Sequence, residues 1–257
     1  MSVRFLYNNL VDASTTVITS TGETTDLPDD NVQHPLRTKV WRTGTSVALE
    51  TITFDLGTAQ SVQSFVALDH TLTSGDSLIK IQGHASDSWG APTVNVTLAY
   101  NADTIAYYWT AAQSYRWWRF TFTKSASGET RDVGRIFLGG YYEATKNISF
   151  DGFQITPVDL SQTARSLGGQ TYSDARSIYH EISANFDYVT NTQLEQFKTI
   201  AEAVRTHTPF FIDGDRTNMA YAWFYYVKFA GFSARQVKIY KSASPLWSTS
   251  MNFNEEL

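Results

Sequence analysis

The 257-residue chain has no cysteine. That absence excludes disulfides, thiolate zinc sites, iron–sulfur clusters and cysteine nucleophiles together, and with them the small oxidised secreted module. Long apolar runs are also lacking. No window approaches the length of a membrane span. The opening MSVRFLYNNLVD is too polar for a signal peptide, so synthesis in a cytoplasm is expected. A basic excess is missing too: net charge is −5. Ten basic and 14 acidic residues precede Lys146, and ten basic and 11 acidic run from it onward. Neither half carries the clustered Lys and Arg of a nucleic-acid binder, and sequence-specific nucleic acid is excluded as a partner.

Catalytic and metal motifs are absent as well. His34, His70, His84, His180 and His207 are scattered, with no pair at the i, i+2 or i, i+4 spacing that holds a metal. There is no G-x-S-x-G, H-E-x-x-H or P-loop pattern. Asp26, Asp29, Asp30 and Asn31 offer hard oxygens in one loop, but their spacing matches no calcium loop, and Asp-rich turns bond to their own backbone. Asp213-Gly214-Asp215 reads as a turn, and no carboxylate pair can be set opposite another as in a glycosidase. The expectation is a non-enzyme with no cofactor and no metal.

Abundant instead are aromatic side chains, 14% of the chain with 14 Tyr and 7 Trp. Most fall in alternating runs, where their apolar area fills a β core. Residues 1–145 show about eight such runs separated by turn residues, among them Val3–Leu6, Thr15–Thr19, Ile52–Leu56, Val62–Leu68, Val94–Leu98 and Trp118–Phe122, and no good helix. Phe54-Asp55-Leu56-Gly57 follows Trp41, and Trp117-Trp118-Arg119-Phe120 and Gly134-Arg135-Ile136-Phe137-Leu138-Gly139-Gly140 come later. This order is similar to the discoidin (coagulation factor type C) galactose-binding jelly roll. The resemblance implies the fold; ligand specificity in that family lies in variable loops, so no binding residue is carried over.

Between Tyr141 and Asn147 the alternation relaxes, and the domain boundary is set there, giving domains 1–145 and 146–257. The second half holds β runs to Ser166, a turn at Gly168-Gly169 and a long run from Tyr172 to Val189. In that run Ile178, Ile182, Phe186 and Tyr188 share one parity, and His180 shares it as a packed or interface histidine. Leu194, Phe197, Ala201 and Val204 then recur at helical spacing, behind a Thr192–Glu195 capping box and ahead of Pro209, which predicts one helix at about 191–206. Phe210–Ile212, the parity set Tyr221, Trp223, Tyr225, Val227 and Phe229, Gln236–Tyr240 and Trp247–Phe253 follow as strands.

A β-sandwich with a long hairpin and one packed helix resembles the tail-tube fold of phage tails. The residues carrying the likeness are the Arg165–Arg176 hairpin, Ile178–Tyr188, Thr192–Val204, Pro209-Phe210-Phe211 and Trp247–Glu255. The fold class is therefore mainly β: an N-terminal jelly roll and a C-terminal tail-tube-like sandwich with one flanking helix. The resemblance implies a distal tail or baseplate ring protein of a virion, closing a hexameric ring with itself and linking to other tail and baseplate proteins. Arg165, Gly168, Gly169 and Arg176 are its expected oligomer contacts. Tail proteins of this kind place the ring domain first, and here the order reads reversed. The rival reading is a carbohydrate-binding module with an accessory β domain that adheres to host surface glycans. For that role Trp89 on a loop, with Tyr107 and Tyr108, are the candidate sugar contacts, because exposed rings stack on sugar faces.

Overall fold

In the computed structural model the first strand does not join the strands that follow it. The structure describes residues 3–45, 48–126, 128–149, 152–214, 223–237 and 245–257. Strand β1 (Arg4–Leu6) pairs antiparallel with residues Tyr142–Glu143 on one side and Phe211–Asp213 on the other. The chain accordingly divides into Asn8–Tyr141 and a second unit made of Met1–Tyr7 with Tyr142–Leu257. The reading that begins the jelly roll at residue 1 therefore changes: Val3, Phe5 and Leu6 are fully buried, and Val3 and Phe5 belong to the core of the C-terminal unit. The jelly roll is an insertion between two paired strands of the other unit.

Within Asn8–Tyr141 the strands are β2 (Val17–Ser20), β3 (Trp41–Arg42), β4 (Leu49–Leu68), β5 (Ser77–His84), β6 (Val94–Thr97), β7 (Thr104–Thr123), β8 (Asp132–Val133) and β9 (Ile136–Gly139). They form a sheet of order β2-β4-β7-β5-β6, with β9 also paired to β4, and a small β3–β8 sheet. The separate runs Ile52–Leu56 and Val62–Leu68 are one 20-residue strand, paired along its length with the equally long β7 across two bulges. Between them Gly57 turns the chain at φ +76°, and its N–H is accepted by Asp55. Trp41, Phe54, Phe65, Trp118, Phe120 and Phe122 fill the core. Gly83 is glycine for a local reason, since a Cβ there would lie 3.0 Å from the Trp118 ring.

Two buried ion pairs tie the loops of this unit. Lys124 Nζ lies 2.8 Å from Glu50 Oε1 with both side chains fully buried, and it also donates to the Gly44 carbonyl. Glu50 in turn accepts the Thr21 hydroxyl. Arg131 spans Asp76 at 2.8 and 3.0 Å, and the backbone N–H groups of Thr73 and Ser125 complete that carboxylate. Charges removed from water in this way are tolerable because almost every lone pair has a donor.

The other unit contains β10 (Tyr142–Glu143), β11 (Phe153–Asp159), β12 (Gln162–Arg165), β13 (Thr171–Asp174), β14 (Ile178–Val189), helix α1 (Asn191–Val204), β15 (Phe210–Asp213), β16 (Phe224–Val237) and β17 (Leu246–Glu255). Six of these strands, with β1, build one seven-stranded antiparallel sheet of order β10-β1-β15-β16-β17-β14-β11. Helix α1 buries Leu194, Phe197, Ile200 and Val204 on one face, with Phe197 against Phe186 at 4.7 Å and Phe5 at 5.9 Å. Ile200, and not the half-buried Ala201, completes that stripe.

The helix start differs from the Thr192–Glu195 box. Thr190 is the N-cap and accepts from Gln193 N, while the buried Gln193 amide exchanges two hydrogen bonds with the Lys146 backbone. Strand β14 departs from strict alternation as well. A bulge between Phe186 and Val189 leaves Tyr188 at φ +58° and 54% exposed while Val189 is buried, and Ile178 is exposed beyond the core. Strands β12 and β13 form a separate hairpin in which every strand residue is exposed. Tyr221, Asp215 and residues 238–240 of the expected strands and turn lie outside the described residues.

Candidate functional site

The alternation of β7 sets Trp118, Phe120 and Phe122 into the core and turns Trp117, Arg119 and Thr121 to the opposite face. On β5 the same rule buries Ile79 and Ile81 and turns out Lys80 and Gln82. Register pairs Lys80 with Thr121 and Gln82 with Arg119. A groove of about 150 Å³ runs along this face, lined by Leu49, Leu78, Lys80, Gln82, Arg119 and Thr121.

Arg119 is the centre of the groove. Its Nε and Nη2 donate to Gln82 Oε1 at 2.9 and 2.7 Å, and Gln82 Nε2 donates to Asn95 Oδ1 on β6 at 3.1 Å. The guanidinium carbon sits 4.4 Å from the centroid of the Trp89 ring, whose Nε1 donates to Asp87 at 2.6 Å. Burial lowers the Arg119 pKa from its ordinary value, and the field of Asp87 opposes that. The guanidinium remains charged throughout the working range of pH. Thr121 is buried, and its Oγ1 has no hydrogen-bond partner. At the other end Leu78, at φ +50°, is 55% exposed beside the exposed Leu49. A bulky residue held at positive φ is strained, so its place at the rim is imposed by the fold.

The sequence candidates fall in three places. Trp89 reaches the groove, through Arg119. Tyr107 packs edge-on against Trp109 at 5.0 Å, and Tyr108 against Tyr141 at 5.2 Å. Being neighbours on β7, the two tyrosines point to opposite faces. Arg165, Gly168, Gly169 and Arg176 are collected on the exposed hairpin arm, with Gly169 at φ +85° in its turn and Arg176 on Asp174 at 2.9 Å. Arg119 itself was legible only as an arginine between rings; its contacts with Gln82 and Trp89, and through Gln82 with Asn95, join separate elements and leave no sequence signal.

Along β14, β17 and the end of β16 the helix-free face of the sheet is polar, whereas Phe211, Phe224 and Tyr226 pack together on β15 and the start of β16. One cleft of about 680 Å³ is lined by Ser149, Asn185, Asp187, Ser233, Arg235 and Ser248 among others, and one of about 340 Å³ by residues including Gln154, Glu181, Ser183 and Asn252. Asp187 accepts the hydroxyls of Ser149 and Ser248 at 2.7 and 2.8 Å, which hold its carboxyl below the usual carboxylate range.

Among the described residues no group of three or more His, Cys, Asp or Glu is placed to hold a metal. Asp29 and Asn31 serve their own loop, with Asp29 N donating to Glu23 and Asn31 Nδ2 to the Val40 carbonyl. His180 is half-buried and binds Glu255 at 2.5 Å. His70 is buried against Tyr100, and burial lowers its pKa. No described helix is long and apolar enough to cross a membrane.

No protein-family model matches this chain, and no curated relative does. Solved structures similar to it include the carbohydrate-binding module CpGH89CBM32-6 of Clostridium perfringens, at 16% identity and TM-score 0.42, over 51% of this chain and 98% of that one. A family 32 carbohydrate-binding module of C. perfringens in complex with galactose matches at 12% identity and TM-score 0.41, over 55% of this chain and 99% of its own. A Streptococcus pneumoniae fucose-binding module matches at 10% identity and TM-score 0.41, over 52% of this chain and 95% of its own. No tail or baseplate protein is among these three. Each of these three matches spans about half of this mainly β chain.

Proposed function

We propose that this chain is a non-catalytic glycan-binding protein whose jelly roll carries the recognition face. The observation that supports this reading is the Arg119 groove. A sugar presents pairs of hydroxyls and one apolar ring face, and it is recognised by planar polar groups held rigidly beside an apolar wall. Gln82 and Asn95 hold Arg119 in place, and Trp89, Leu49 and Leu78 supply apolar surface. A glycan array headed by galactose and fucose, followed by calorimetry on the full chain, tests it. Arg119→Ala and Trp89→Ala should each weaken binding at least about tenfold, the loss of roughly 1.4 kcal/mol expected for one charged hydrogen bond or stacked ring, with the jelly roll still folded by circular dichroism. An array without a single binding sugar would overturn the reading.

A second reading, a ring-forming distal tail or baseplate component of a virion, is favoured by the β12–β13 arm. A two-stranded hairpin is marginal alone in water, and here Leu167 at its tip and Tyr172 on its flank are exposed. Such an arm gains its stability from a partner, and a second copy of this chain is the simplest one. Strand β1 pairs within the helix-backed unit, so in this reading the jelly roll is an insertion in the ring domain and not a domain ahead of it. Native mass measurement decides this reading: a monomer at every concentration would sink it.

A further inference from the structure

We infer that the groove between β5 and β7 selects a sugar that bears a carboxylate; this rests on the glycan reading above. The argument begins from the charge pairing of the jelly roll. Arg37, Arg42, Arg116, Lys124, Arg131 and Arg135 each sit on a carboxylate of Asp69, Asp132, Asp55, Glu50, Asp76 and Asp12 respectively. In a chain of net charge −5 such pairing is the rule. Arg119, Lys80 and the exposed Lys39 make no ion pair among the described residues, and of these Arg119 and Lys80 line the same groove.

The remaining hydrogen-bonding capacity points the same way. A guanidinium carries five N–H donors, and Arg119 spends only the Nε and Nη2 bonds to Gln82. Lys80 adds an ammonium. Thr121, the cross-strand neighbour of Lys80, keeps a buried hydroxyl without a partner. No carboxylate lines the groove; Asp87, bonded to Trp89 Nε1, acts on Arg119 through its field alone. A half-buried cation is retained at a cost that an anionic oxygen would offset, and Arg binds a planar carboxylate with two parallel N–H bonds. Gln82 holds the guanidinium edge-on, and the Trp89 face prevents it from swinging away. The exposed Leu49 and Leu78 at the far end suit a sugar ring better than a bare inorganic anion.

The test is calorimetry on the full chain with matched pairs: galacturonate against galactose, and N-acetylneuraminyl-lactose against lactose, with galactose 6-sulfate as a third arm. At least one acid should bind tenfold or more tightly than its neutral parent, with affinity falling as salt is raised. Arg119→Gln should bring the acid-to-neutral ratio within twofold of one. Lys80→Gln, at a half-exposed position where folding is not at stake, should lower the ratio and flatten the salt dependence. Equal affinity for acid and neutral sugars overturns the inference and leaves the glycan reading standing. Sulfated sugar bound as tightly as the carboxylates overturns the carboxylate assignment. If no sugar binds, both fall.

Discussion

The two units solve the burial of a β-sheet in different ways. In Asn8–Tyr141 the core rings are enclosed by strands and by loops laced with buried ion pairs, so polar groups work inside the fold. In the helix-backed unit one sheet face is closed by a single helix, and the other is surfaced with Ser, Asn and Asp along β14 and β17. The first arrangement leaves two cations without an ion pair in a groove; the second leaves a polar stretch of sheet and an exposed arm. Specific recognition suits the former and broad assembly contacts suit the latter, because the one concentrates charge and the other spreads small hydrogen-bonding groups.

Three substitutions separate the two solutions, taken from the largest effect downward. Phe197→Asp places a charge in the aromatic cluster with Phe5 and Phe186. It should unfold the helix-backed unit, since an unpaired buried charge costs more than a domain of this kind holds in reserve. The jelly roll should keep its near-ultraviolet dichroism and its own melting transition. A single cooperative loss of both would show that the comparison is wrong and the units are one folding entity.

Lys124→Met removes one partner of the fully buried pair and leaves Glu50 without its cation. About 3–5 kcal/mol of jelly-roll stability should be lost. Much of it should return in the Lys124→Met, Glu50→Leu double variant, because apolar replacement of a whole buried pair is close to neutral. Denaturant titration of the three proteins measures the difference; full loss persisting in the double variant would make the pair itself stabilising.

The smallest effect is acid sensitivity. Burial alone would raise the carboxyl of Asp76, but the hydrogen bonds from Arg131 and from the Thr73 and Ser125 backbone outweigh it and bring the pKa down to about 2. A folded pKa below the unfolded value near 3.8 means stability that is complete above pH 4 and lost as pH falls toward 2. The amount is about 2 kcal/mol. Melting curves of the chain and of Asp76→Asn should differ by a constant above pH 4 and converge below it. A gap that persists unchanged at pH 2 would assign the role of Asp76 to shape alone.

Local chemistry was enough for much of this architecture. Alternation is a property of neighbouring residues, so the mainly β class, most strands and the Phe197 face of the helix could be read directly. The cap was missed by two residues because Thr190 and Thr192 offer the same hydroxyl, and the choice is made by Gln193 bonding to Lys146, 47 positions away. Tyr188 was misplaced for a similar reason: a bulge costs one residue of register, and no residue type marks it.

The sequence by itself determined what this protein is made of and what it excludes: β cores rich in rings, one helix, no cysteine chemistry and no basic surface. Tertiary structure alone decided which unit owns the first strand, since Phe5 has the same apolar character whichever core takes it, and only pairing with Tyr142 and Ile212 settles the matter. It alone also set Arg119 beside Gln82, Asn95, Trp89 and Lys80, residues from three strands and a loop. Neighbours in the chain fix local conformation, whereas a recognition face is assembled by register across strands, and register is a property of the folded sheet.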